Sequence, residues 1–344
     1  MKAAVLETID APLVIGDVGL SALARGQVLV KILVSGICGS QLQEIAGNKG
    51  NAKFVPHLMG HEGCGIVEET GPEVTKVKKG DKVVLHWRKG DGIEADFPTY
   101  TYKGKNMGSG KVTTFSEYSV VSENRVTAVP EDISNDFCAL LGCGLSTALA
   151  TIENEAKMRP GENILIVGLG GLGACFIKAA MLAKAGTIVA LDIHDKKGFA
   201  ESLGATHFIN SAKEDAKEAL TRAGVKGFDV IIETSGNSKS IEATLPLLAG
   251  GGRFIMVGQP KPGESFEVRD ANHLFGGEGK MLKATQGGQF SPSKDITRYV
   301  QMYRDGSLNI DNLITHRTSL DKVNDAITLM REGKANRIMI DIWQ

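Results

Sequence analysis

The stretch Ile164-Leu165-Ile166-Val167-Gly168-Leu169-Gly170-Gly171-Leu172-Gly173 decides the fold. An apolar run of strand length meets Gly-x-Gly-x-x-Gly and a helical pattern follows, which is the setting a dinucleotide-binding strand-turn-helix requires. Gly168 is expected to take the tight turn, Gly170 to let the backbone approach a pyrophosphate, and Gly173 to let helix pack closely on strand, with Gly171 in the same loop. The helix that begins there offers unpaired N–H groups and a positive dipole end to phosphates. Alone, such a glycine pattern is as readily an ordinary turn. The next strand, however, ends in Asp192, 19 residues past Gly173 (192 − 173). That is close to the ~20 residues at which an acidic side chain accepts from a ribose 2′-hydroxyl. A carboxylate there repels a 2′-phosphate, so NAD is expected over NADP.

Outward from this loop, apolar strands alternate with helix-length segments from about Leu145 to Thr285. The strands are read at Asn163–Val167, Thr187–Asp192, His207–Ile209, Asp229–Glu233, Arg253–Val257 and Met281–Thr285. Such alternation implies a parallel sheet with helices on both faces. From Met1 to about Pro130 the pattern is different: short β-rich runs cut by Gly and Pro, among them Val28–Val34, Gly65–Glu69, Lys82–Leu85 and Glu117–Val121. After Gly288 come helical patterns at Ser293–Arg304 and Ser319–Arg331 and a last strand, Arg337–Ile342. This tail has no glycine-rich loop of its own and is expected to pack back on the first region.

Composition narrows the function classes. A chain of 344 residues has room for two domains. Lys+Arg total 39 against Asp+Glu 40, for a net charge of -1, and no basic run occurs. Nucleic acid and anionic membrane are poor partners for such a surface. The apolar stretches are strand-sized, far below the ~20 residues of a membrane span. No secretory signal is visible at Met1–Leu6, and five Cys is an odd number, so reduced thiols in a cytoplasm are expected.

A second constellation lies in the first region. Cys38 sits in Gly36-Ile37-Cys38-Gly39-Ser40, His61 and Glu62 in Gly60-His61-Glu62-Gly63, and Cys143 in Gly142-Cys143-Gly144. Each is flanked by Gly on a turn, so each is free to point into a cleft. Two thiolates and an imidazole make a Zn²⁺ shell with one position open, the arrangement of a catalytic zinc. Taken singly, a buried inert Cys or a hydrogen-bonded core His is the more ordinary reading.

These motifs, with Gly80-Asp81-Lys82-Val83-Val84, Gly142 to Thr147, Thr315-His316 and Gly333 to Arg337, resemble in order the zinc-dependent alcohol dehydrogenases of the medium-chain dehydrogenase/reductase family. The resemblance spans essentially the whole chain. It implies an α/β protein: a GroES-like β-rich catalytic domain from residues 1–144 and 287–344, and a Rossmann doubly wound parallel-sheet coenzyme domain from 145–286. It implies an oxidoreductase moving hydride between NAD and an alcohol/carbonyl pair, working as a homodimer or homotetramer on a small-molecule substrate. A simple alcohol, a polyol, an amino alcohol and a sugar-linked alcohol all stay open; a zinc-free quinone or enoyl reductase would lack the Cys–His–Cys set.

Residue by residue, the resemblance makes Cys38, His61 and Cys143 the zinc ligands, with Glu62 either a fourth ligand or a neighbouring charge. Ser40 matches the hydroxyl that passes the alcohol proton outward. Thr147 and Leu172 match positions against the nicotinamide, Lys197 a ribose-contacting lysine, and Arg337 a pyrophosphate-contacting arginine. Trp87 and Phe115 fall where the family places walls of the substrate pocket. Three departures stand out. Gln41 replaces an Asp that holds the zinc-ligating His. Gln43 stands where many relatives end the proton relay with a His, and His57, the nearest other imidazole, is expected on the surface. The stretch Arg88–Lys111 lacks the four Cys that hold a structural zinc in many relatives, so one zinc per chain is expected.

Overall fold

The alternation that begins at Asn163 folds as one parallel sheet of six strands. Their spatial order is His207–Asn210, Thr187–Asp192, Asn163–Val167, Phe228–Glu233, Leu248–Met256 and Met281–Ala284, or 3-2-1-4-5-6 by position in the chain. Ile164, Leu165, Ile166 and Val167 are all buried, as a strand covered on both faces requires. Strand order reverses at Asn163–Val167, so a crevice opens at the carboxyl ends there, the place where such sheets take ligands. The helix Gly171–Leu182 begins at that crevice.

The computed structural model describes residues 1–344, and this sheet lies in a unit formed by Thr147–Phe290 and Leu308–Leu313. The other unit takes Met1–Ser146, Ser291–Ser307 and Ile314–Gln344. Its centre is the strand Gln27–Ile37, flanked by Glu62–Thr70 on one side and by Tyr118–Ser122 and Ile338–Asp341 on the other. The last strand thus packs back on the first region, as its sequence suggests. Lys82–His86 adds outside Glu62–Thr70.

Register then aligns the strand ends. Ile338 pairs with Ile37, Ser35 with Gly63, and Glu62 with His86. Cys38, His61, Trp87 and Arg337 therefore all leave the sheet at one edge. A second sheet joins Lys2–Leu6, Val14–Leu20 and the hairpin Tyr100–Tyr102/Lys105–Met107.

The Cys-free stretch Arg88–Lys111 is fastened by carboxylates. Glu123, buried, accepts backbone N–H groups from Thr75, Lys76 and Ile93 at 2.6–2.8 Å. Glu94 pairs with Lys111 at 3.0 Å and Arg125 at 3.3 Å. No single helix is long and apolar enough to cross a membrane.

Candidate active site

Cys38 follows the central strand and caps the short helix Gly39–Ile45; His61 precedes the strand Glu62–Thr70. Cys143 arrives between the helices Asn135–Leu141 and Gly144–Ala150, held to the same edge by the Trp87 N–H, which donates to the Gly142 carbonyl at 3.4 Å. The two sulfurs and a His61 ring nitrogen lie within 4.8 Å of one another, each residue half-buried. Contact with Cys143 holds the Cys38 thiol well below the ordinary thiol range, with His61 and Arg337 adding to it, and the same contact pushes Cys143 well up. The pair thus releases one proton readily and the second reluctantly, unless a cation stands between the sulfurs. Burial opposes the charged form of His61, but Cys38 outweighs it and leaves that group raised.

The remaining donor is Glu62. Its carboxylate is wholly buried; Oε2 accepts from Arg337 Nη2 at 2.9 Å and from the Gly144 N–H at 3.2 Å, while Oε1 has no hydrogen-bond partner. An orphaned carboxylate oxygen beside two thiols and an imidazole fits a bound Zn²⁺. Burial raises the Glu62 carboxyl and Arg337 pulls it back. Two of the flanking glycines belong to this pair. A Cβ on Gly36 would lie 2.4 Å from Glu62 Oε1 and one on Gly144 2.5 Å from Arg337 Nη2, whereas one on Gly142 would first meet the Leu85 carbonyl oxygen, at 2.3 Å. Gly36 and Gly144 make room for the buried ion pair, a reason beyond the freedom of turns.

His61 Nδ1 faces Ser40 Oγ at 3.3 Å and contacts the Gln41 amide nitrogen, which leaves Nε2 for a metal. The Gln41 carbonyl oxygen is taken by the Cys38 N–H at 3.1 Å. A neutral imidazole bound through Nε2 carries its proton on Nδ1, and an amide N–H₂ cannot accept it. Ser40 Oγ can.

In the nucleotide half, Gly168 has φ +86°, so its turn excludes a side chain without strain. A Cβ on Gly173 would lie 2.0 Å from the Gly168 carbonyl oxygen, while Gly170 faces open space. The cradle fits a pyrophosphate, with Gly171 and Leu172 opening the helix beneath it. Asp192 Oδ2 accepts the Leu169 N–H at 2.7 Å and Oδ1 the His194 N–H at 2.8 Å. Thr147 is buried in the helix Gly144–Ala150.

Two residues, Phe115 and His57, sit otherwise than expected. Phe115 is fully buried, wedged under Gly60 in the core of the first unit, and lines no open pocket; the sequence marks an aromatic near the site but not which way it faces. Lys197 is exposed and pairs with Glu201 at 3.8 Å, while its neighbour Lys196, unmarked in the sequence reading, reaches Asp192 at 3.4 Å. His57 is buried, 2.9 Å from the Leu58 carbonyl oxygen and 3.1 Å from the Asn51 amide nitrogen, so it is not a surface group. Trp87 is half-buried beside Gly142, and Gln43 is exposed, accepting from Asn48 at 2.7 Å.

With this geometry in place, comparison with known proteins is consistent at every level. Residues 24–131 match the alcohol dehydrogenase GroES-like domain and residues 171–303 the zinc-binding dehydrogenase domain. An S-(hydroxymethyl)glutathione dehydrogenase of Escherichia coli O157:H7 is 30% identical over 371 aligned positions, covering 98% of this chain and 99% of that protein. An alcohol dehydrogenase zinc-binding domain protein from Burkholderia ambifaria is 26% identical with a TM-score of 0.91, covering 100% of this chain and 99% of the other. Benzyl alcohol dehydrogenase from Acinetobacter calcoaceticus is 26% identical with a TM-score of 0.88, covering 99% of each chain. The chain belongs to the zinc-dependent alcohol dehydrogenases of the medium-chain dehydrogenase/reductase family. It is a zinc-dependent oxidoreductase of alcohol/carbonyl pairs.

Proposed function

We propose an NAD-linked alcohol dehydrogenase with one zinc per chain held by Cys38, His61 and Cys143. The observation that carries the reading is the convergence of those three donor atoms within 4.8 Å beside the orphaned Glu62 oxygen. Preference for NAD rests on Asp192, whose Oδ1 keeps acceptor capacity for a ribose hydroxyl and whose charge opposes a 2′-phosphate. The first unit acts as the catalytic domain and the second as the coenzyme domain.

When bound, zinc supplies a Lewis acid to the alcohol or carbonyl oxygen and the nicotinamide gives or takes the hydride. The chain's own groups do the rest. Ser40 Oγ accepts the His61 Nδ1 proton as a hydrogen bond, fixing the ring tautomer, and its own hydroxyl exchanges the substrate proton with solvent. Gln43 has no titratable group, so the path ends in water. Glu62, paired with Arg337, adds negative charge beneath the ligands without leaving an isolated ion in the core. Trp87 borders the substrate side, Thr147 and Leu172 border the nicotinamide, and Lys197 and Arg337 serve the ribose and the pyrophosphate. Five cysteines, none in a disulfide, support a reducing compartment. Assembly as a homodimer or homotetramer completes the reading.

The test is coenzyme reduction by NAD⁺ and NADP⁺ over a panel of simple, polyol, amino and sugar-linked alcohols, with zinc measured on the same sample. One zinc per chain and NAD-dependent oxidation of at least one class are expected. Two tightly held zinc ions per chain, or equal kcat/KM for the two coenzymes, would overturn the respective assignments.

A further inference from the structure

Asp192 does not stand alone at the coenzyme crevice. Its side chain and that of Lys196, four residues on and just before the helix Lys197–Leu203, are each only 9% exposed, and Lys196 Nζ lies 3.4 Å from Asp192 Oδ2. The same ammonium donates to the Leu169 carbonyl oxygen at 2.9 Å, while Asp192 accepts the Leu169 N–H at 2.7 Å. Asp192 and Lys196 therefore hold one residue of the glycine loop, Leu169, through the peptide groups on either side of it. The other charges of this segment are placed differently. Asp195 pairs with Lys213 at 3.1 Å and Lys197 with Glu201 at 3.8 Å, all four more than half exposed. Solvent screens those pairs, whereas a buried pair keeps most of its field.

We propose that Lys196 sets the degree to which this enzyme discriminates between the two nicotinamide dinucleotides, its buried ammonium offsetting the charge that Asp192 presents to the ribose 2′ position. The proposal rests on the reading of Asp192 as the ribose acceptor. Oδ2 is filled by the Leu169 N–H and by Lys196, so Oδ1, with one N–H from His194, is the oxygen left for a ribose hydroxyl. Asp192 keeps its hydrogen bond to NAD in this arrangement. The repulsion it exerts on a 2′-phosphate is smaller than that of an unpaired aspartate, because the pair's net charge is zero. Lys196 is a specificity-determining residue, and Lys197, freely exposed, is not needed for the effect.

The experiment measures dissociation constants for NADH and NADPH on the intact zinc-loaded enzyme, by titrating the fluorescence of the bound nicotinamide. Lys196→Met is expected to raise the ratio Kd(NADPH)/Kd(NADH) by about tenfold, since a unit charge is removed at short range in a weakly solvated site. Lys196→Arg keeps the charge and should hold the ratio within about twofold of the unmutated enzyme, on the same charge argument. Lys196→Gln removes the charge but keeps a donor for the Leu169 carbonyl, so it should show the same rise as methionine; it carries the test if the methionine variant does not fold. An unchanged or lower ratio in the neutral variants, or an arginine variant that behaves like them, overturns the proposal. If the unmutated enzyme binds NADPH more tightly than NADH, the NAD assignment falls by itself, and the direction of the change on losing Lys196 still decides this one.

Discussion

Replacing Arg337 by methionine removes the only cation bonded to Glu62 while keeping a long apolar stem in its place. The carboxylate then lies in the core with a single donor, the Gly144 N–H at 3.2 Å. An uncompensated charge there avoids the cost of burial by taking up a proton. Its ordinary value is 4.5. At pH 7 that protonation spans about 2.5 pH units at about 1.4 kcal/mol each, a ceiling of about 3.5 kcal/mol. This agrees with the ~3–5 kcal/mol typical of removing one partner from a buried pair. The sign with pH follows. In the variant the folded state holds a proton that the unfolded state releases above 4.5, so the loss of stability grows as pH rises and is about 0.7 kcal/mol at pH 5. The assay is urea unfolding of zinc-stripped protein followed by tryptophan fluorescence. Both tryptophans, Trp87 and Trp343, lie in the first unit, so the signal reports that unit alone. Adding Glu62→Gln should recover the stability to within about 1 kcal/mol of the unmutated protein, because a neutral amide against methionine leaves no charge behind. A loss below about 1 kcal/mol at pH 7, or a double variant as unstable as the single one, refutes the reasoning.

Three further outcomes follow from the same geometry. Gln41→Glu keeps the side chain's length and replaces the amide N–H₂ at His61 Nδ1 by an acceptor, so zinc affinity, read by competition with a chromogenic chelator, should rise by about tenfold or more; weaker binding would contradict the tautomer assigned to His61. Ser40→Ala should lower kcat for alcohol oxidation by ~10²–10⁴-fold with zinc content unchanged, and an unaltered rate in stopped-flow turnover would remove Ser40 from the proton path. Burial lowers His86 from 6.5 to about 4, and it donates to the Arg88 carbonyl or accepts from Thr127 without charge. Its folded value is depressed, so the stability it permits is present above pH 6.5 and is lost as pH falls toward 4, by about 3 kcal/mol over that window. His86→Gln should flatten that part of the pH–stability curve, as measured by the same tryptophan signal.

The two halves of the chain were not equally legible. From Asn163 to Ala284 the inner strands appear in the sequence as apolar runs such as Ile164–Val167, Ile188–Leu191 and Val230–Ile232, because both faces of an inner parallel strand are covered. The loop glycines were legible for the same local reason: Gly168 needs its turn and Gly173 its close packing within six residues of each other. The sheet that takes in Lys2–Leu6 and Val14–Leu20 left no comparable mark, since Val14–Leu20 is mostly exposed. Gly36, Gly142 and Gly144 were recognisable as special but not explained, because the groups they make room for lie elsewhere in the sequence. Phe115 and His57 show the limit of residue type alone. An aromatic ring and an imidazole are equally at home in a core and at a site, and only the register decides.

The convergence of Cys38, His61 and Cys143 is as much a product of the chain's last strand as of the loops that carry them. Ile338 pairs with Ile37, the residue before Cys38, and Arg337, one step further, reaches Glu62, the residue after His61. Cys38 and His61 are thus each tied through an immediate neighbour to a segment some 300 residues away from the first of them. Gly144, next to Cys143, donates its N–H to that same Glu62. One buried ion pair therefore couples the positions of Cys38, His61 and Cys143, so the chain itself fixes their spacing. On the zinc reading proposed above, a site preorganised this way gives up little order on binding the metal. It also explains why the sequence spacing of Cys38, His61 and Cys143 carries no signature of its own: the distances that matter run through Glu62 and Arg337.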